Sequence, residues 1–319
     1  MTVETDPKNL NQLIKSLALG QGFCACGVTR ADFLEEDAQV LEKWVAEGRH
    51  GQMSYMARNR EKRANVRLLV EGVKSIVCLA HSYYTRESEE VSKRTGVAKY
   101  AVGEDYHTVL KNKMHALCAA LKEKTGDFSY RAFTDSAPVP ERRLAQRAGL
   151  GWIGKSSMFI SPDAGSYLFL SEIVTDLDIA PDTPFEQNKC GSCRRCRMAC
   201  PTGAIDGSGT IDARKCLSYV TIELKENIPE KLACKLGGRI YGCDTCMDVC
   251  PWNKYAALTE EPCFLPSEYL SRMDREDWAK MDPETFEREF TRSPMQRAGL
   301  DKIKSNVSAG KKYLAGDGF

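Results

Sequence analysis

Cys190-Gly-Ser-Cys193-Arg-Arg-Cys196-Arg-Met-Ala-Cys200-Pro201 and Cys243-Asp-Thr-Cys246-Met-Asp-Val-Cys250-Pro251 decide how this chain is read. The first run has the C-x2-C-x2-C-x3-C-P spacing of bacterial ferredoxins. Three thiolates two residues apart wrap a loop around one face of an iron–sulfur cubane, and the fourth, followed by proline, crosses to a second cluster. The second run lacks one leading cysteine, which Cys216, 27 residues before Cys243, can supply. The crossing rule then predicts one [4Fe–4S] cluster on Cys190, Cys193, Cys196 and Cys250, and another on Cys200, Cys216, Cys243 and Cys246. Structural zinc also uses C-x2-C pairs, but the triple spacing with x3-Cys-Pro, met twice, is the more specific signature.

The remaining composition fits an intracellular metalloprotein. The chain has 319 residues, 14 cysteines and a net charge of +1. Seven of those cysteines sit in the two runs, which points to metal rather than to a disulfide framework. Cys24, Cys26, Cys78, Cys118, Cys234 and Cys263 read as ordinary thiols. The opening Met-Thr-Val-Glu-Thr-Asp shows no basic-then-apolar signal sequence, Arg142-Arg143 and Arg194-Arg195 are internal, and no apolar run reaches membrane-spanning length. A cytoplasmic location and no membrane partner are expected.

Outside the cysteine runs the apolar pattern alternates. Leu10, Leu13, Ile14 and Leu17 mark a first helix ending before Gly20. Residues 75–84 read as a buried strand. Leu110, Met114, Leu117 and Leu121 stripe a helix that Asp105 caps and Gly126 stops. Strands are expected over 128–134 and 166–179, with a helix over 140–148 between them. This predicts a mixed α/β or α+β fold, divided as 1–180, a ferredoxin-like module over 181–255, and a short helical tail over 256–319.

A ferredoxin alone needs far fewer residues, so the rest of the chain must hold a redox partner or a substrate. No G-x-G-x-x-G or Walker A loop is present. The informative segment is 135–156, in which Asp135 follows a strand and Gly149-Leu-Gly-Trp-Ile-Gly154 is glycine-rich without phosphate-loop spacing. Such backbone suits close approach to a large flat ligand, and equally a turn before a helix. Asp135 by itself also reads as a helix cap or a partner of Arg142 or Arg143.

Six stretches resemble the epoxyqueuosine reductase family: Gly103-Glu-Asp-Tyr-His107, Thr134-Asp-Ser-Ala-Pro-Val-Pro-Glu-Arg142, Gly149-Leu-Gly-Trp-Ile-Gly-Lys155, the first cysteine run continued by Pro201-Thr-Gly-Ala-Ile205, Asp212-Ala-Arg-Lys-Cys-Leu-Ser-Tyr-Val-Thr-Ile-Glu223, and Tyr241-Gly-Cys-Asp-Thr-Cys-Met-Asp-Val-Cys-Pro-Trp-Asn253. The resemblance implies a nitroreductase-like cobalamin-binding core and reduction of epoxyqueuosine to queuosine at the wobble position of tRNA with a GUN anticodon. It implies cobalamin and two [4Fe–4S] clusters as cofactors, an external electron donor, and a monomer. Asp135 matches the family's proton donor, a role that calls for a raised pKa. Arg58, Trp152, Lys155, Ser157, Ser166, Ser218, Tyr219, Gly242 and Asp244 are carried over as cobalamin contacts. His107 matches without a fixed role. The basic residues of 58–67, and the 11 Lys/Arg against seven Asp/Glu of 189–254, are expected to meet tRNA phosphates. A reductive dehalogenase, or a ferredoxin-type carrier without chemistry of its own, are the competing readings. The chain ends at Phe319 without the helical-repeat extension of some family members.

Overall fold

Four strands form the central sheet: β1 (Ala25–Arg30), β2 (Ser75–Ser82), β3 (Tyr130–Phe133) and β6 (Leu168–Thr175), in the order β1-β2-β6-β3. A computed structural model describes residues 6–314. Met1–Thr5, on which the absence of a signal sequence was read, and 315–319, the end of the expected tail, lie outside the described residues.

Every pairing in this sheet is antiparallel. The alternation of helix and strand along the sequence is therefore that of an α+β fold rather than of parallel βαβ crossovers. Helices α1 (Pro7–Gly20) and α2 (Tyr106–Thr125) cover one face, and the short α3 (Glu141–Arg147) covers the other. All eight residues of β2 are buried, because its alternating side chains meet helices on both sides. Val77 and Leu79 face α1 and α2, while Ile76, Cys78 and Ala80 face α3.

The helices form where the sequence places stripes and caps. Asp6 accepts from the Lys8 and Asn9 backbone N–H groups at the start of α1, and Asp105 accepts from the His107 N–H at 3.0 Å at the start of α2. Leu110, Met114, Leu117 and Leu121 are at most 1% exposed. A small hairpin of β4 (Trp152–Ile153) and β5 (Phe159–Ile160) follows α3 and leads toward the first cysteine run.

The expected polar tail packs far more apolar surface than its composition suggests. Trp278, Phe286, Phe290 and Ile303 form a core with Val97, Ile240 and Tyr241. Asn306, on the last helix α5 (Gly299–Leu314), donates to the carbonyls of both Thr221 and Ile240 at 2.8 Å. The tail thereby grips α4 (Leu217–Ile222), the helix that begins beside Cys216.

Candidate active site and cysteine module

Asp135 stands one residue beyond the buried Thr134, at the exit of β3, with φ +53°. This left-handed backbone is uncommon for a non-glycine residue and turns the carboxylate out of the sheet. The Tyr106 hydroxyl donates to Asp135 Oδ2 at 2.5 Å, and His107 Nε2 lies 3.6 Å from the same oxygen. His107 Nδ1 is 2.7 Å from Asp105 Oδ1. The imidazole thus sits between two carboxylates. Burial pulls its pKa down, but Asp105 and Asp135 outweigh burial and raise it to about 9.

This differs from the expectation of a raised Asp135 pKa. Burial pushes the Asp135 carboxyl up, yet His107 and the Tyr106 hydroxyl overcome it and hold it below its usual range. At neutral pH the proton of the pair therefore resides on His107. The Asp135 side chain is 59% exposed and still desolvated, the combination that a cleft produces.

Two further carboxyls lie behind it. Glu141, in the first turn of α3, accepts the Asp135 backbone N–H. Burial and the Asp135 charge raise the Glu141 pKa to about 8. Glu172, on β6, pairs across the sheet with Cys78 and Phe133, is 0% exposed, and has no partner on either oxygen among the described residues. Burial drives its pKa far upward, with the negative charge of Glu141 and Asp135 adding to the effect. An anion with no donor in such a place is untenable, so this carboxyl is protonated. The expected pairing of Asp135 with Arg142 or Arg143 is absent: Arg142 donates to the Ser157 carbonyl and hydroxyl, and Arg143 binds Asp37 at 2.7 Å.

The cleft is closed by residues far apart in sequence. Arg297 binds Glu223 at 2.7 Å and lies 5.7 Å over the Tyr55 ring, and its charge and that of Arg63 reach Asp135. Arg63 Nε is buried with no partner. An unpaired guanidinium nitrogen, a phenol and a second guanidinium make a donor set that fits the amide rim of a corrin, so the cleft suits cobalamin. Tyr55, Glu172 and Arg297 carry no motif that would mark them in the sequence, whereas Glu141 and Glu223 lie inside quoted stretches without having been given a role.

The residues carried over for cobalamin are spread around this region in different states. Arg58 is exposed, and its backbone N–H bonds Ser54. Trp152 is fully buried against Phe185 and Trp252. Lys155 donates to the carbonyls of Gly191 at 2.5 Å and Cys193 at 3.2 Å. Ser157 has φ +66° and holds Arg142, and Ser166 is buried against Asn253. Ser218 lies half-buried on α4, and the Tyr219 hydroxyl accepts from the Gln52 N–H at 2.9 Å. Gly242 has φ +75°, and a Cβ there would meet the Ala98 Cβ at 2.6 Å. Asp244 is buried, accepts the Lys99 N–H at 2.7 Å and faces the Lys99 ammonium at 3.7 Å.

All 14 cysteines are free thiols. Cys190, Cys193 and Cys196 are the charged neighbours of Cys250, and they line a cavity of about 330 Å³ with it. Cys216 has Cys243 and Cys200 as its neighbours, and Cys246 has Cys216 and Cys243. Among the described residues no three ligands converge tightly enough for a single ion. Burial raises the Cys216 thiol while the Tyr219 and Ser218 N–H groups oppose it, and N–H groups of Thr202, Ala204 and Gly203 help to bring Cys200 below the ordinary thiol value against its burial. Backbone donors aimed at sulfur are what cluster thiolates need, so the module fits two cubanes.

No helix of the described residues is long and apolar enough to cross a membrane. Residues 189–253 match the family described as "4Fe-4S double cluster binding domain", and residues 63–136 match "Epoxyqueuosine reductase QueG, DUF1730". The epoxyqueuosine reductase of Cyclobacterium marinum is 43% identical over 93% of this chain and 95% of its own. That of Escherichia coli is 38% identical over 95% of this chain and 82% of its own. A crystal structure of epoxyqueuosine reductase with an epoxyqueuosine-modified tRNA-Tyr stem loop superposes with a TM-score of 0.85 at 30% identity, covering 96% of this chain and 82% of that one. With likeness of this degree over nearly the whole length, the chain belongs to the epoxyqueuosine reductase family.

Proposed function

We propose that this protein reduces epoxyqueuosine to queuosine at the wobble position of tRNA bearing a GUN anticodon, as a cytoplasmic monomer fed by an external electron donor. The observation that carries the reading is the Asp135 constellation: a carboxylate, a protonated imidazole and a phenol gathered at a cleft whose other wall, Glu223 at the end of α4, belongs to the cysteine module. Deoxygenating an epoxide to an alkene breaks both C–O bonds, consumes two electrons and two protons, and releases water. An alkoxide leaves poorly, so a proton must reach the departing oxygen.

His107 holds that proton near neutral pH, and Asp135, 3.6 Å away, hands it forward. Tyr106 fixes the carboxylate, and Glu141 holds the loop by accepting the Asp135 N–H. Cobalamin, when bound, supplies a strongly reducing metal centre at the cleft. Arg58, Trp152, Lys155, Ser157, Ser166, Ser218, Tyr219, Gly242 and Asp244 are proposed to hold it, with Arg63 and Tyr55 added from the geometry. The Cys200, Cys216, Cys243 and Cys246 cluster is placed next to the corrin, and the Cys190, Cys193, Cys196 and Cys250 cluster serves as the outer relay. The division into 1–180, 181–255 and 256–319 belongs to the same reading.

The test is anaerobic turnover of an epoxyqueuosine anticodon stem-loop by protein carrying about eight irons and one corrin, two cubanes having four irons each. Asp135→Asn is expected to lower the rate by about 10²–10⁴-fold with stem-loop binding and the cluster spectrum unchanged. Wild-type protein that carries both cofactors and leaves the epoxide intact would overturn the proposal.

A further inference from the structure

We infer that the mouth of the cavity at Cys190, Cys193, Cys196 and Cys250 is a docking face for a small acidic protein that delivers electrons one at a time. The inference rests on the reading of that quartet as the outer cluster. Lys189, Arg194, Arg195, Arg197 and Lys254 ring this mouth or flank its ligands, and all five are exposed. Between Glu186 and Asp206 the chain carries four cations and no acid. None of the five forms an ion pair among the described residues, whereas most of the surface arginines elsewhere do. Like charges held together unpaired disfavour the free surface and favour an anionic partner.

Two features select a protein over an RNA backbone. Met198, beside the arginines, is 81% exposed, and Tyr255, lining the cavity, is 51% exposed. Exposed apolar side chains among charged ones are the anatomy of a small protein interface, and a weak redox encounter needs only a small one, below about 1,200 Å² in total. Of the second quartet only Cys246 reaches this cavity, while Cys216 is held under backbone N–H groups of α4.

The experiment mixes protein with both clusters oxidised, without cobalamin or tRNA, against a flavodoxin hydroquinone, and follows cluster bleaching by stopped flow. Wild type is expected to show a bimolecular rate that falls steeply with ionic strength. Arg194→Glu/Arg195→Glu/Arg197→Glu is expected to lower it about 10–100-fold at low salt and to flatten the salt dependence. Reduction by dithionite stays at the wild-type value. Because those arginines flank cluster ligands, Lys189→Glu/Lys254→Glu repeats the test from outside the ligand run and is expected to act in the same direction. An unchanged flavodoxin rate in both variants, or a loss confined to stem-loop affinity, overturns the inference and assigns the face to RNA. Neither result depends on epoxide turnover, so failure of the proposed reaction would leave this test standing.

Discussion

His107 is the residue on which the acid chemistry turns. With its pKa raised to about 9 by Asp105 and Asp135, the form that carries the proton is lost as pH rises through that value. kcat/KM should therefore fall above about pH 9, and His107→Gln should remove that limb along with most of the rate. A wild-type profile that stays level to pH 10 would contradict the role. Glu141 and Glu172 make a separate prediction about stability. Both hold a proton in the folded protein that an unfolded glutamate releases near pH 4.3. Their contribution is complete below that pH and disappears as pH rises through about 8 for Glu141. The thermal midpoint should drop between pH 5 and 8.5, and Glu141→Gln or Glu172→Gln should shallow the slope, leaving the part that His107 contributes in the same direction. Glu172 was not legible beforehand, and Glu141 was legible only as part of the Thr134–Arg142 stretch, without a role. Glu172 lies in Leu168–Thr175, where a charged residue at an inward position looks like ordinary strand alternation until β3 and α3 cover it. The Asp135 motif was legible, but the direction of its pKa was not, because Tyr106 and His107 reach it from another helix.

At the level of elements, α3 is the lever that sets the Asp135 loop. Its C-terminal end sits directly on β1: a Cβ at Gly27 would lie 2.1 Å from the Ala148 carbonyl oxygen. Gly27→Ala must push α3 away from the sheet, and with it Glu141, which holds the Asp135 backbone. A cost of about 1–3 kcal/mol is expected from the overpacking, together with a kcat loss disproportionate to any change in stem-loop affinity. Equal turnover by the two proteins would show that α3 does not control the loop. Apolar period located α1, α2 and α3 and the strands β2, β3 and β6 in the sequence, since those signals are local, but it did not locate β1 (Ala25–Arg30). Strand order was not legible. Antiparallel pairing of β2 with both β1 and β6 arises from where the connecting helices pack, and a buried strand reads the same whichever way its neighbours run.

For the molecule as a whole, the apolar core of the cysteine module is confined to residues 213–236, away from the 190–200 ligand run, and it leans on the tail and on Trp44 and Met53. Stripping iron by chelation should raise amide exchange across residues 189–253, since the ligand loops lose the metal that replaces a core. Residues 75–82 and 106–125 should stay protected by their own buried faces. Uniform loss of protection would mean that the clusters support the entire fold. The cysteine spacing announced this module at once, yet nothing in the sequence tied residue 297 or 306 to it, because the link depends on tertiary packing across more than a hundred residues. Asn306 clasps the carbonyls of Thr221 and Ile240, on segments that follow Cys216 and precede Cys243. Asn306 lies 56 residues beyond the last ligand, Cys250, so during synthesis the ligand loops leave the ribosome before the clasp does. The nascent module therefore stays unlatched until that later helix emerges. Iron and sulfide have that interval to enter before the final helix fastens the ligand loops in place.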